Sequence, residues 1–162
     1  MNCGLFKENV ESVAGHCIVT ADFADAVKQI IADLRAERIA VSDAPGLEGF
    51  GVVPDAGEIF AFEVGVTRAQ AGIAETGTLV LDSSCERNRL VSVVPPVHIA
   101  ILAASRIYPT LADVLAMLQS GDELSPAITF ITGPSRTADI ELTLTIGVHG
   151  PQELYVIIDE SA

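Results

Sequence analysis

Three segments of this 162-residue chain combine glycines with residue types that bind or transform ligands. The first, residues 74–78 (AETGT), places Glu75 between apolar runs, where a carboxylate is costly unless it is hydrogen-bonded or does chemistry. Its neighbours Thr76, Gly77 and Thr78 could donate N–H and O–H groups to an anion. We therefore take Glu75 as a candidate catalytic acyl acceptor or base and the other three as ligand-binding candidates. The alternative is the end of a short helix, with Gly77 at positive φ and Glu75 exposed.

The second segment, residues 133–139 (GPSRTAD), follows an apolar run that predicts a buried strand. A strand, a glycine turn and a polar helix start can bind phosphate or carboxylate through free N–H groups. A guanidinium adds a planar fork of donors suited to an oxyanion. The segment contains neither GK[ST] nor G-x-G-x-x-G, so it is not one of those nucleotide loops. The alternative is a structural turn whose arginine pairs with a surface acid. Candidate ligand-binding residues here are Gly133, Ser135, Arg136, Thr137 and Asp139.

The third segment, residues 147–151 (GVHGP), encloses a histidine between two glycines. Such glycines let the backbone approach a ligand and leave the imidazole accessible, which makes His149 and Gly150 ligand-binding candidates. The alternative is a tight turn with an exposed histidine. Another histidine, His98, lies in an apolar run after two prolines and is interpreted as a satisfied structural residue.

Charge and hydropathy exclude several partners. The chain has 9 basic and 22 acidic side chains, for a net charge of −13, which repels nucleic acids and anionic membranes. The longest run without charged residues, 90–105, is shorter than the roughly 20 apolar residues of a spanning helix. No signal-peptide pattern begins the sequence, and we expect a cytoplasmic protein that needs neither membrane nor nucleic acid.

The cysteines predict no metal site. Cys3, Cys17 and Cys85 are odd in number and far apart, and no C-x-x-C pair is present. That spacing supports neither a disulfide framework nor a zinc or iron–sulfur centre within this chain. The sequence identifies no cofactor.

Hydrophobic periodicity predicts a single α/β domain over residues 1–162. Asp22 caps a helix over about 23–37, Thr110 caps a second helix, and residues 67–70 match a capping box for a short third helix. Residues 1–15 are expected to be a loose lead-in. Strand-like apolar runs occur at 16–20, 39–41, 60–66, 78–82, 89–94, 97–103, 127–132, 142–146 and 155–158. Their pattern indicates a mixed sheet with helices on both faces.

The segments AETGT (74–78), VPPVHI (94–99), GPSRTADIE (133–141) and GVHGP (147–151), in this order, resemble the lactate utilization protein C family, or LUD domain. The resemblance covers about residues 60–159. It implies a Rossmann-like α/β fold with extra β structure, like that of the sugar-phosphate isomerase, CoA-transferase and formyltetrahydrofolate cyclo-ligase group. Family members commonly carry a longer helical N-terminal region, whereas about fifteen residues precede the first predicted strand here.

The resemblance also implies a role in a bacterial pathway that oxidises L-lactate to pyruvate, beside two partner subunits that carry iron–sulfur clusters. Three functional hypotheses follow. The chain is a subunit that binds a small anionic or nucleotide-like ligand without its own redox centre. Alternatively, it is a free-standing transferase or ligase that uses Glu75 with a phosphate-binding loop at 133–139, or an assembly module for a second copy or another partner. We expect the three segments to meet on one rim of the sheet, where α/β proteins place ligands.

Overall fold

The computed structural model describes residues 2–84, 88–120, 125–138, 144–146 and 150–162. Its α-helices are α1 (Asn2–Ser12), α2 (Phe23–Leu34) and α3 (Leu111–Gln119), and 3-10 helices cover Ile59–Ala61, Arg89–Ser92 and Ala104–Arg106. The strands are β1 (His16–Thr20), β2 (Ile39–Val41), β3 (Val64–Ala69), β4 (Ala71–Ile73), β5 (Thr78–Asp82), β6 (Val97–Ala103), β7 (Ile107–Tyr108), β8 (Ile128–Ile131), β9 (Arg136–Ala138), β10 (Leu144–Ile146) and β11 (Glu153–Asp159).

The strands form two larger sheets and one short pair. The main sheet is parallel throughout, with the order β1-β11-β6-β3-β2. A second sheet has the order β7-β4-β5-β8 and contains both parallel and antiparallel pairs, and β9 pairs antiparallel with β10. The arrangement confirms the predicted α/β class with parallel and antiparallel members.

Alternate residues of the central strands enter two separate cores. On one face of β6, Ile99 and Ile101 pack with Val27 and Ile30 of α2. Residues of the opposite face pack with Phe6 and Val10 of α1 and with residues of β5. The period of two along a strand produces this division. Helices therefore lie on both faces, and the second sheet covers one face together with α1.

Local capping explains where two helices begin. The Asp22 side chain accepts a hydrogen bond from the Asp25 N–H at 3.0 Å, at the start of α2. Thr110 and Asp113 form a reciprocal capping box at the start of α3. Both N-terminal predictions are confirmed, although α2 ends at Leu34, where Arg35 takes a left-handed conformation with φ 52°.

The predicted loose lead-in is wrong for residues 2–12, which form α1. Phe6 and Val10 lie one turn apart and are buried in the core beneath this helix. The predicted helix after the capping box at 67–70 is also wrong. β3 continues to Ala69 because residues 67–69 pair in parallel with residues 100–102 of β6, and this pairing overrides the local cap pattern.

Three further segments differ from their predictions. Residues 89–92 form a 3-10 helix instead of a strand, and the run at 60–66 is divided between a 3-10 helix and β3. The polar helix start expected after Gly133 is instead β9, which pairs with β10. A helix dipole therefore does not contribute to anion binding at this loop. Any such binding depends on the N–H groups of the loop and on its side chains.

Candidate functional site

A cavity of about 310 Å³ lies at the amino ends of β6 and β11, between the main sheet and the loop that follows β8. We call it the motif cavity. Residues 130–136 form one wall, and Pro151 and Leu154 contribute from the start of β11. Ser92, Val93 and His98 line it from the 3-10 helix and from β6. Residues of the VPPVHI, GPSRTADIE and GVHGP segments thus line one concave surface, whereas no residue of the AETGT segment does, so the expectation that all three candidate segments meet is wrong for residues 74–78.

Backbone hydrogen bonds hold these segments together. The Ser135 N–H donates to the Pro151 carbonyl at 2.8 Å, and the Gln152 N–H donates to the Pro96 carbonyl at 2.7 Å. Gly150 packs so closely that a Cβ there would lie 3.0 Å from the Ser135 Cβ. A side chain at position 150 would therefore crowd Ser135, which would have to move by a few tenths of an ångström.

The floor of the motif cavity consists of buried residues. His98, Leu154 and Ser92 are each at most 4% exposed. The His98 Nε2 lies 2.8 Å from the Thr67 Oγ1, whereas its buried Nδ1 has no hydrogen-bond partner in the part of the chain that the structure describes. Burial lowers the pKa of His98 to about 4, so the imidazole is neutral near pH 7.

The interpretation of His98 as a fully satisfied residue is therefore wrong for one of its two nitrogens. A signal was present in the sequence: His98 is the one ionisable side chain in the otherwise apolar strand VHIAILA. Its partner Thr67 is 31 positions away, so no local pattern reveals which nitrogen is used.

Arg136 lies at the exposed mouth of the motif cavity. Its Nη2 donates to the Val13 carbonyl at 2.8 Å, which ties the loop to the segment after α1. Gly133 has φ 71°, and a Cβ at this position would lie 2.7 Å from the same carbonyl oxygen. The N-terminal helix thus positions the loop that carries the arginine.

Residues 74–77 form the turn between β4 and β5 rather than the end of a helix. Gly77 has φ 64°, and a Cβ there would lie 2.5 Å from the Val10 backbone nitrogen. Glu75 is exposed, and its Oε1 accepts a hydrogen bond from the Leu111 N–H at 2.8 Å, in the first turn of α3. It is not among the residues that line the motif cavity.

Two threonines connect this turn to the cavity wall. The Thr78 hydroxyl lies 2.7 Å from the hydroxyls of both Thr76 and Thr132, and Thr132 lines the cavity. The structure thus brings Gly133, Ser135, Arg136 and Gly150 together and places the buried Thr78 behind them. Asp139 and His149 lie outside the described residues, as does the side chain of Thr137.

Metal binding and thiol chemistry find little support in the described ranges. Within these ranges, no three His, Cys, Asp or Glu side chains lie close enough to hold a metal ion. Cys3 and Cys17 are free thiols, and burial raises the pKa of Cys17 to about 11. Cys17 is therefore protonated near pH 7. None of the described helices has the length and apolar character needed to cross a membrane.

Two other cavities are relevant. One of about 630 Å³ adjoins the motif cavity through Val93 and is also lined by Asn88 and Arg89. The other, of about 410 Å³, lies beyond the carboxyl ends of β3 and β6, beside Arg68 and Arg106. We call the latter the carboxyl-end cavity.

The fold and the grouped motif segments define an α/β protein of the LUD class. Residues 55–158 match the family described as the LUD domain, and the chain belongs to this family. It is similar over nearly its full length to the crystal structure of a DUF162 family protein from Deinococcus radiodurans. The TM-score is 0.70 at 25% identity, over 97% of this chain and 95% of that chain.

Sequence relatives agree with this assignment. A protein named Lactate utilization protein C from Bacillus licheniformis is 39% identical over 102 residues, covering 60% of this chain and 42% of the relative. The uncharacterized protein YkgG of Escherichia coli K12 is 38% identical over 143 residues, covering 81% of this chain and 62% of the relative. The chain therefore spans about two fifths to three fifths of these relatives.

Proposed function

We propose that this chain is a component of a bacterial lactate-utilization system and binds a small anionic ligand in the motif cavity. The observation that carries the proposal is the grouping of Gly133, Ser135 and Arg136 around one cavity, with Gly150 packed against Ser135. Membership of the LUD family and relatives named Lactate utilization protein C support the lactate role.

The position of one positive charge, Arg136, supports an anionic ligand. The chain carries −13 overall, so its general field repels anions and a local cation must offset that repulsion. Arg136 supplies this cation at the cavity mouth, and one of its terminal nitrogens is oriented by the Val13 carbonyl. The remaining N–H groups of a guanidinium can bind a carboxylate in a fixed geometry.

Cavity size favours a small ligand over a nucleotide-like one. The motif cavity, at about 310 Å³, is at the lower end of the range for ligand pockets, which suits a three-carbon acid such as lactate or pyruvate. A nucleotide-like ligand would also have to occupy the adjoining cavity of about 630 Å³, beyond Val93.

Electron transfer is assigned to partners. A typical iron–sulfur cluster needs four thiolates, and this sequence contains three cysteines in all. In this proposal, partner subunits with iron–sulfur clusters accept the electrons of lactate oxidation, and this chain supplies ligand binding.

The transferase or ligase alternative depends on Glu75 as the reacting carboxylate. Its exposed position, its hydrogen bond to the start of α3 and its absence from the cavity lining support the binding role over this alternative. A covalent acyl or phosphoryl adduct on Glu75, detected by mass spectrometry, would reverse that preference.

A thermal-shift screen tests the proposal with L-lactate, pyruvate, acetyl-CoA, ATP and NAD as probes. A ligand present at 100 times its Kd stabilises the protein by about 2.7 kcal/mol. We expect L-lactate or pyruvate to give the largest shift. We expect Arg136→Ala to weaken binding by about 10–100-fold and Arg136→Lys to weaken it less, because lysine keeps the charge but loses the fork.

The matched control is Arg106→Ala, which removes the same charge from an exposed site in the carboxyl-end cavity. This control should bind the probe as the wild type does. Equal affinities in the wild type and both Arg136 variants would remove Arg136 from the site. The absence of any shift with lactate and pyruvate, beside a clear shift with ATP or acetyl-CoA, would contradict the proposed function.

A further inference from the structure

The hydrogen bond between Thr67 and His98 identifies which ring nitrogen carries the proton. The two groups are buried at the cavity floor, with 2.8 Å between Oγ1 and Nε2. Within the described residues, this nitrogen is the hydrogen-bond partner of the Thr67 hydroxyl. A buried hydroxyl proton without an acceptor is costly, so the hydroxyl donates and Nε2 accepts.

This assignment also determines the protonation of Nδ1, the second nitrogen of the ring. A neutral imidazole has one N–H, and an Nε2 that accepts leaves the proton on Nδ1. Burial keeps the pKa of His98 at about 4, so the doubly protonated ring is excluded near pH 7. The opposite tautomer would leave both the Thr67 proton and the Nδ1 lone pair without partners, whereas this one leaves a single N–H donor to satisfy.

We propose that the His98 Nδ1–H is a ligand-binding donor at the floor of the motif cavity, and that it takes a carboxylate or 2-oxo oxygen of a small acid. The inference rests on the proposed function and goes beyond it by naming the atom that contacts the ligand. Its support is that Nδ1 is buried without a partner among the described residues, on a side chain that lines the cavity. A donor in this position is satisfied by an oxygen acceptor and not by an apolar group.

Imidazole nitrogen NMR on histidine-labelled protein tests the tautomer directly. We expect the resonances of His98, assigned by their loss in His98→Asn, to show a protonated Nδ1 and an accepting Nε2. Addition of pyruvate should shift the Nδ1–H signal. A protonated Nε2 in the free protein would overturn the inference, as would an Nδ1–H signal that saturating pyruvate does not move.

Two substitutions of His98 test the contributions of its two ring nitrogens to pyruvate binding separately. In His98→Asn, the side-chain amide takes the approximate position of Nδ1 and keeps a donor there. In His98→Gln, the amide reaches the approximate position of Nε2, which keeps the Thr67 contact and loses the donor. We expect His98→Gln to weaken pyruvate binding by about 10–100-fold and His98→Asn to weaken it less.

The outcomes distinguish this inference from the proposed function. If Arg136→Ala lost pyruvate binding while His98→Gln kept it, the proposed function would stand and the His98 inference would fail. If neither pyruvate nor L-lactate bound the wild type, both would fail together. If the His98 variants did not fold, substitutions of His16 and His149, the other two histidines, would assign the His98 resonances by elimination. The tautomer and the pyruvate-induced shift in the wild type would then still decide the inference.

Discussion

The cavities at the two ends of the main sheet differ in the residues that line them. In the carboxyl-end cavity, the Gln70 side chain donates to the Arg68 carbonyl at 2.7 Å and accepts from the Asp82 N–H at 2.6 Å. The Arg68 guanidinium also lies 5.1 Å from the ring centre of Phe23. At the amino end, the motif cavity is lined by the loop of residues 133–136 and by His98, whose buried Nδ1 has no hydrogen-bond partner among the described residues.

This difference bears on where a ligand binds. Open α/β sheets usually bind ligands beyond the carboxyl ends of their strands. Here residues of the VPPVHI, GPSRTADIE and GVHGP segments line a cavity at the amino ends of β6 and β11, whereas Gln70 at the carboxyl end bonds to the backbone of β3 and β5. The motif cavity is the smaller of the two, yet it is the one lined by residues 133–136 together with His98 and Pro151.

The largest expected difference between the two ends of the sheet is the pH range in which each loses folding stability. His98 keeps a pKa of about 4 in the folded state, against its ordinary value of 6.5. Between these values the unfolded chain binds a proton that the folded chain does not, so stability is full above about pH 6.5 and falls as the pH drops toward 4. The loss is on the order of 3 kcal/mol.

Urea unfolding from pH 7.5 to 4 measures this loss. His98→Gln should lack this part of the pH dependence, and the control His16→Gln, which removes an exposed histidine, should keep it. Parallel profiles for the wild type and His98→Gln would show that His98 is not buried as a neutral group.

Asp82, at the carboxyl end, titrates in a lower pH range than His98 does. Burial opposes its ionisation, but the Ser125 and Ser84 hydroxyls and the Ser84 N–H donate to it, and the net effect lowers the pKa of Asp82. Its contribution is present above its ordinary value of 3.8 and is lost only as the pH falls below that value. The two ends should therefore lose stability in separate acid ranges.

Gly65→Ala should have the next largest effect. Gly65 pairs in register with His98, and a Cβ there would overlap the carbonyl oxygen of Val91 in the 3-10 helix beside the motif cavity. Overpacking against backbone costs about 1–3 kcal/mol, and the displaced helix should also weaken pyruvate binding. Urea unfolding and a pyruvate titration measure the two effects.

The matched control for this substitution is Gly57→Ala. A Cβ at position 57 meets no atom within 4 Å, so the variant should unfold and bind pyruvate as the wild type does. Equal unfolding free energies for Gly65→Ala and Gly57→Ala would contradict the close contact between β3 and the 3-10 helix.

Local sequence signals predicted much of the fold. Asp22 and Thr110 predicted the starts of α2 and α3 because an N-cap side chain bonds to the first turn of the helix that it precedes. The apolar runs of β2, β5 and β6 gave the bounds of these strands because they are buried and continuous. Elements that depend on distant partners were missed: the α1 core contacts come from Phe6 and Val10 packing on residues far along the chain.

The site was predicted only in part, for the same physical reason. Glycine and polar interruptions located the loop containing Gly133 and Arg136, but not the sheet end at which it lies. Sequence spacing also gave no sign that Glu75 turns toward α3 or that His98 pairs with Thr67, because both contacts join residues more than 30 positions apart. Register and topology decide such contacts, and neither is a local property.

The smallest expected effect comes from Gln70→Met in the carboxyl-end cavity. The substitution removes both side-chain hydrogen bonds of Gln70 from a half-buried position, at a cost of about 1 kcal/mol in unfolding free energy. The control Gln29→Met removes only the exposed contact with Asp25, one helical turn away on α2, and should cost at most about 0.5 kcal/mol. Neither variant should change the pyruvate-induced thermal shift, because neither residue lines the motif cavity. Loss of that shift in Gln70→Met alone would transfer the binding site to the carboxyl end and reverse the contrast between the two ends of the sheet.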